Sequence, residues 1–480
     1  MKSNSIKKNF IYNYIYQILS IIIPFITTPY ISRVLGVEQI GKFSYVQAIV
    51  TCFGMFANLG TNTYGQIVIA KFRDDKKKLS EQFSVVFISK LVTFLIVFAA
   101  YIYFVFEIAS DKQIYIALIS YMLVQLTDIM WFFQGLELFK LTVSRTIFVK
   151  ITSLIMLFLI IKSPSDLVLY ILILYVPTIL VNISMWVILR RYINIVLPGV
   201  RDIFRGLSRA FVYFIPTIAT VIFVSTDKCM LRWIAKSEFE NGYYEQANKI
   251  YNILVTLVTT ITTVMLPRMS YIWNSKEYNN IQVGNIISKT IKFMSAIVFP
   301  ISFGMFSITN TFVPLFLGEG YEKCETLIKI FCVIIIFTSY NSIICNACLI
   351  SSGRQRIANR LLIISSLVNM VSNFFLIQYL QSTGAVLASL ISEFVLLIML
   401  LIVSRENIHI SEIIKHTLKY GMFSLAVGII VKIISNSLRL GLFVNLVVEI
   451  LSGVGIYLLL LFVFKDEILS EVFNRIVKKT

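Results

Sequence analysis

Charge is the first thing this sequence is short of. Only 14 % of its 480 residues are Asp, Glu, Lys or Arg, where a soluble domain carries roughly 25 %. A water-facing surface cannot be assembled from so few charges, so a soluble enzyme is excluded. Histidine is nearly absent: His409 and His416 are the two copies, both in one polar stretch, which argues against histidine-based metal chemistry. The six cysteines are scattered from Cys52 to Cys348, and scatter of that kind is no disulfide framework. Cys345 and Cys348 have CxxC spacing but lie in an apolar run with no second pair, so they read as small packing residues rather than a zinc or redox site. No DxD motif occurs, and no segment is polar and long enough for a soluble domain. No cofactor, no metal and no nucleic-acid partner is expected, and no catalytic residue stands out.

What is present in abundance is apolar sequence. Hydrophobic residues make up 58 % of the chain, and the mean hydropathy is +0.83. A spanning helix needs about 20 mostly apolar residues. On that ruler the chain divides into about fourteen spans, near 10–32, 43–64, 83–106, 114–137, 144–161, 167–189, 208–228, 244–266, 290–313, 325–350, 360–380, 384–403, 417–437 and 442–464. The first of these is too long for a cleaved signal peptide and has no small-residue cleavage site after it. The expected class is an all-α polytopic membrane protein.

The few charges are mostly positive, 43 Lys+Arg against 25 Asp+Glu, for a net +18. Basic residues collect in cytoplasmic loops. With the N-terminus inside, the inner segments hold Lys7 and Lys8, Lys76 to Lys78, Arg190 and Arg191, Arg201 and Arg205, Arg354 and Arg356, and Lys478 and Lys479. The bias supports an even number of spans and both termini in the cytoplasm.

The chain also reads as a repeat. Span one has Pro24, then Arg33, then Gly41-Lys-Phe-Ser-Tyr before span two. Span seven has Pro216, then Asp227 to Arg232, then Gly242-Tyr-Tyr before span eight. Two six-span lobes are expected, 1–189 and 208–403, joined by a cytoplasmic linker at 190–207, with spans thirteen and fourteen and a cytoplasmic tail in 404–480. Internal repeats of this kind are typical of transporters. Pro24 and Pro216, equivalent in the two halves, are candidate hinges, or ordinary prolines tolerated in a membrane helix.

Polar residues inside spans face other helices or water, because hydrocarbon cannot hydrogen-bond them. Span one carries Asn13, Gln17, Ser20, Pro24 and Thr27, and span two carries Gln47, Thr51, Gly54, Asn58 and Thr61, each on one helical face. Span eight carries Glu245, Lys249, Asn252, Thr256, Thr259 and Thr263. Such stripes serve helix–helix contacts or line a cavity. Their concentration on spans one, two, seven and eight, the repeat-related pairs, favours a cavity. Lys249 projects from a stripe and is the leading candidate for contact with an anionic substrate. Lys90 and Asp128 read either as an ion pair across a hairpin or as substrate contacts. Arg145 and Lys150 either snorkel to the surface or collect phosphate at a cavity mouth. Glu393, at the depth of Asn373, reads as a hydrogen-bonded carboxyl packing the hairpin of spans eleven and twelve.

Several motifs resemble a known family. Thr28-Pro-Tyr-Ile-Ser-Arg-Val-Leu-Gly to Tyr45, Asn58-Leu-Gly-Thr-Asn-Thr-Tyr-Gly65, Trp131-Phe-Phe-Gln-Gly, Asp227-Lys228 with Gly242-Tyr-Tyr, and Gly384-Ala to Glu393 resemble, in order, the Wzx-type polysaccharide flippases of the MOP exporter superfamily, relatives of the MATE transporters. The resemblance implies a two-lobed V-shaped bundle in a bacterial plasma membrane. It also implies transfer of an undecaprenyl-pyrophosphate-linked oligosaccharide, a capsule or O-antigen-like repeat unit, from inner to outer leaflet by alternating access. Membrane lipids and a polysaccharide assembly machinery would be its partners. The competing readings are a cation-coupled multidrug exporter on the same fold, whose acidic span-one site is missing here, and a membrane polysaccharide polymerase.

Overall fold

The computed structural model describes residues 3–273, 280–437 and 441–469, and every regular element among them is helical. In chain order these are α1 (Ser3–Asn58), α2 (Thr61–Phe72), α3 (Lys76–Glu107), α4 (Lys112–Ala117), α5 (Ile119–Thr127), α6 (Met130–Gly135), α7 (Phe139–Ile160), α8 (Leu167–Leu189), α9 (Val200–Ala235) and α10 (Glu238–Trp273). Then come α11 (Asn280–Phe316), α12 (Glu322–Ile344), α13 (Gln355–Leu380), α14 (Ser382–Val403), α15 (Ile410–Ser437) and α16 (Leu442–Val463). Helix is the element that satisfies all its own backbone hydrogen bonds in hydrocarbon.

Among the described residues, eleven stretches are long and apolar enough to cross a membrane. The first, Ile21–Phe72, has 52 residues, about 78 Å at 1.5 Å per residue, enough for two crossings of a hydrocarbon core of roughly 30 Å. The 36-residue helices α9 and α10 are long enough as well. The count therefore agrees with about fourteen spans.

Two of the expected spans are built differently from a plain rod. No loop separates the first two: α1 runs through, with one non-helical residue, Gly36, at φ 75° and ψ 169°. That left-handed φ is open to glycine at little cost. The second span then breaks at Leu59 and Gly60, both with positive φ, and resumes as α2. Here a Cβ on Gly60 would lie 2.4 Å from the Ala210 carbonyl oxygen, so α9 approaches too closely for any larger residue. The fourth span is three short helices, broken where Asp128 turns extended (φ −73°, ψ 116°).

The chain forms two compact units, 1–242 and 243–480. In the first, one core gathers Ile31, Val46, Phe94, Tyr101, Met122 and Ile171. A second, aromatic core gathers Phe83, Trp131, Phe132, Phe133 and Met185. Phe83 stacks on Trp131 with ring centroids 5.3 Å apart. A Cβ on Gly65 would sit 2.4 Å from the Trp131 ring, so two of the motifs noted in the sequence meet in this core. Helix α9 packs on α1, α2 and α3 within the first unit.

The second unit has one large core, including Ile287, Ile291, Met294, Tyr340, Ile344, Leu400 and Tyr420. Its α13–α14 pair is zipped by polar groups: Ser365 Oγ donates to the Ser392 carbonyl at 2.9 Å, and Asn373 Nδ2 donates to Asn369 Oδ1 at 3.0 Å. Beyond α16, Asp466 is buried and accepts from Lys419 Nζ at 2.6 Å and from the Ile468 backbone N–H at 2.9 Å. Burial pushes its carboxyl up, but the Lys419 hydrogen bond and the Ile468 N–H outweigh that and hold it below its ordinary value.

Candidate functional site

In the first unit the polar side chains converge on the break in the fourth span. Residues that leave a helix strand their backbone carbonyls. The Thr127 carbonyl is taken by the Trp186 indole N–H at 2.9 Å, and the Asp128 carbonyl by Lys90 Nζ at 2.9 Å. Lys90 is 1 % exposed and also reaches Asn62 Oδ1 at 3.4 Å. The Asp128 carboxylate turns back to the Met130 N–H at 3.0 Å and stands 4.0 Å from Arg145 Nη2. Arg145 donates to Asn182 Oδ1, and Asn182 Nδ2 donates to Thr127 Oγ1 at 3.0 Å. The Lys90–Asp128 pairing is thus to the backbone carbonyl, while the carboxylate is shared by the helix cap and Arg145. Two cations therefore serve the one helix break, and Arg145 Nε is buried with no acceptor.

The stripe on the second span is also engaged by its own unit. Gln47 Oε1 accepts from the Tyr175 hydroxyl at 2.7 Å, and Gln47 Nε2 donates to Thr51 at 3.2 Å. Asn58 Nδ2 donates to Gln125 Oε1 at 2.8 Å and to the Gly54 carbonyl at 3.0 Å, while its own Oδ1 is buried without a donor. These polar groups therefore meet α8 and α5. The side chains of Asn13, Gln17 and Pro216 lie outside the described residues. Pro24 sits inside α1, twelve residues before the break at Gly36. Lys150 is half-buried on α7.

In the second unit, α10 presents two different faces. One packs on α12: the Tyr251 hydroxyl and Thr338 Oγ1 are 2.8 Å apart, and Thr262 and Ser342 are 3.1 Å apart. The other carries Glu245, Lys249, Asn252 and Thr256. Lys249 Nζ stands 3.9 Å from Glu245 Oε1, Thr256 caps the Asn252 carbonyl at 2.7 Å, and Asn252 is exposed. The Lys249 side chain keeps 27 % of its surface accessible, against the near-complete burial of Lys90. Among the in-span cations singled out from sequence, Lys249 thus stands on a polar face with part of its side chain accessible.

Glu393 departs from the sequence reading. Its partner is not Asn373 of α13 but Asn341 of α12, whose Nδ2 donates to Glu393 Oε2 at 2.7 Å and to the Glu393 carbonyl at 2.9 Å. Asn373 spends its amide on Asn369 instead. Residues that sequence reasoning passed over include Asn62, Gln125, Asn182, Trp186 and Asn341. Asn182 did carry a signal: it is the one amide in an otherwise apolar α8, and a lone amide in hydrocarbon demands a partner.

These features are those of a multi-pass helical membrane protein. Its fold is shared with solved structures: the chain superposes on the lipid II flippase MurJ in an inward closed conformation with a TM-score of 0.76, at 16 % identity, covering 96 % of this chain and 99 % of that one. It also superposes on an inward-facing multidrug resistance MATE family transporter, with a TM-score of 0.54 at 14 % identity and coverage of 82 % and 99 %. By sequence, residues 6–273 match the family of polysaccharide biosynthesis proteins, and the chain belongs to that family. Two putative O-antigen transporters are similar to it. That of Shigella dysenteriae is 23 % identical over 82 % of this chain and 99 % of its own length. That of Escherichia coli strain K12 is 24 % identical over 84 % and 97 %.

Proposed function

We propose that this protein moves an undecaprenyl-pyrophosphate-linked oligosaccharide, a surface-polysaccharide repeat unit, from the inner to the outer leaflet of a bacterial plasma membrane by alternating access. A diphosphate and a sugar chain cannot cross hydrocarbon unaided, while the lipid tail can stay in it. What the protein must add is a polar path with cations for the phosphates. The observation that carries the reading is the α10 face, where a partly accessible Lys249 beside Glu245 is continued by Asn252 and Thr256. Membership of the polysaccharide biosynthesis family and the similarity to O-antigen transporters support the substrate class. Lys249 would meet the diphosphate, and the amides and hydroxyls along the stripe the sugar. The two lobes follow the internal repeat, 1–189 and 208–403, with both termini cytoplasmic, as the basic collar favours.

The test is leaflet transfer of a fluorescent undecaprenyl-pyrophosphate oligosaccharide in proteoliposomes, read by protection from a membrane-impermeant reagent. Wild type should transfer it and Lys249→Ala should lose at least about 90 % of the rate, since a charge-assisted phosphate contact is among the stronger hydrogen bonds. The melting temperature is measured alongside, so that a loss of transfer is read from folded protein. Dye export without leaflet transfer would overturn the reading.

A further inference from the structure

A second cavity lies within the second unit, away from the α10 face, and the activity proposed above makes no use of it. It encloses about 600 Å³ between α11, α12 and α15, within the usual size of a small-ligand site. Its walls are Phe303 and Phe306 of α11, Val333 and Ile336 of α12, and Ile429 of α15. Phe306, Val333 and Ile429 are 45 %, 39 % and 54 % exposed, so the cleft opens sideways on the lipid-facing surface. Two of its helices approach closely along the lining, for a Cβ on Gly428 would lie 2.7 Å from Ser307 Oγ.

Ser302 and Ser307 line the apolar remainder of the cavity, while the charged groups and the amide lie at one end. Asn310, Lys329 and Lys432 line the cavity there, and Lys329 Nζ donates to Asn310 Oδ1 at 2.7 Å. Asn310 is six residues before the end of α11, Lys329 seven after the start of α12, and Lys432 five before the end of α15. At 1.5 Å per residue all three lie roughly 8–10 Å in from their helix ends, so two cations and an amide share one level. From Asn310 to Phe299 at the far end of the cavity is eleven residues, about 16 Å. That is about half of a hydrocarbon core of roughly 30 Å, the depth of a single leaflet.

An apolar slot one leaflet deep, open to lipid and headed by two cations, matches an anionic phospholipid. We propose that this cleft binds one anionic glycerophospholipid of the leaflet on the side opposite the N-terminus. Its phosphate lies against Lys329 and Lys432 and one acyl chain between α11, α12 and α15. Lys329 is held in place by Asn310, so the phosphate meets a pre-positioned ammonium rather than two freely rotating ones. Basic positions on that side do nothing for topology, which is set by the basic residues of the opposite side. Paired cations at headgroup depth do select anionic lipid.

Native mass spectrometry of the full chain, released from detergent after incubation with phosphatidylglycerol or phosphatidylcholine, tests this. The expected result is retention of one phosphatidylglycerol roughly tenfold or more over phosphatidylcholine. The Lys329→Gln/Lys432→Gln variant should lose that preference, the Lys329→Arg/Lys432→Arg variant should keep it, and Val333→Trp, which fills the slot, should retain neither lipid. Equal retention of the two lipids by wild type would overturn the proposal. So would an unchanged preference in the glutamine variant, or displacement of phosphatidylglycerol by equimolar undecaprenyl phosphate. The arginine variant keeps the test meaningful if the glutamine variant does not fold. The readout does not involve transport, so its outcome is independent of the leaflet-transfer assay.

Discussion

The two units hold the charges inside their spans differently. In the first, Lys90 and Arg145 gather at the break in the fourth span, Lys90 on the Asp128 carbonyl and Arg145 beside its carboxylate, while Asp227 and Glu240 are buried carboxyls elsewhere in the unit. In the second, the charges enclosed within the spans include carboxyls held by neutral donors, Glu393 by Asn341 and Glu449 by Thr311 at 2.9 Å. Glu449 is 1 % exposed, with its second oxygen buried and unpartnered. The difference follows from what each side chain can do in hydrocarbon. A carboxyl can take up a proton and become a neutral hydrogen-bonding group. A lysine keeps its charge where it has strong acceptors, and a broken helix supplies these as free backbone carbonyls. Arginine keeps its charge regardless and so needs Asp128 and Asn182. The first unit therefore invests its charges in holding an irregular helix, whereas the second leaves its carboxyls replaceable and its one stripe cation, Lys249, accessible.

This contrast can be broken at defined points. The largest effect should come from Lys90→Met, which strips the donor from the Asp128 carbonyl inside the bundle. The expected loss is about 3 kcal/mol, the scale of breaking a buried charged contact, seen as a lower melting temperature in detergent and poor recovery of folded protein. An unchanged melting curve would mean that the helix break needs no cation.

A smaller effect should appear at the end of the second unit, where a carboxylate does have a cationic partner. The carboxyl of Asp466 is held below its ordinary value of 3.8. Its contribution is therefore present above that value and lost as the pH falls through the lower, folded value. Acid titration of the melting temperature should show a destabilising step that Asp466→Asn removes. A step of the same size in that variant would place it elsewhere.

The smallest effect should be that of Glu393→Gln. Glutamine keeps an acceptor for Asn341 Nδ2, so stability should change by less than about 1 kcal/mol. A loss as large as that of Lys90→Met would show that Glu393 is held as a charge after all, and would erase the contrast between the units.

Much of this was legible in the chain itself. The spans could be read because hydrocarbon thickness sets a length and permits few charges. The pairing of Gly65 with Trp131 could not, since the two are 66 positions apart and only folding brings the ring against the missing side chain. The stripes were legible as stripes, but not their partners. Gln47 and Asn58 keep the expected helical spacing, yet they face Tyr175 and Gln125 of their own unit. Glu393 was matched by depth to the neighbouring span, whereas its donor came from α12. Depth along a helix is a one-dimensional coordinate, and it says nothing about which of several neighbouring helices lies across the contact.

The sequence alone determined that this is a polytopic helical membrane protein, roughly where it crosses, and that it belongs to the family of polysaccharide biosynthesis proteins. Those properties follow from apolar length, from the distribution of Lys and Arg, and from local motifs, all additive along a chain. The tertiary structure decided which polar groups are consumed by the scaffold and which remain for a ligand. Lys90 and Lys249 look alike as lysines inside spans. One is enclosed at a helix break and satisfied by a carbonyl, while the other stands on a polar face with part of its side chain accessible. That distinction depends on what surrounds each ammonium in three dimensions, because the cost of burying a charge is settled by its neighbours rather than by its place in the chain.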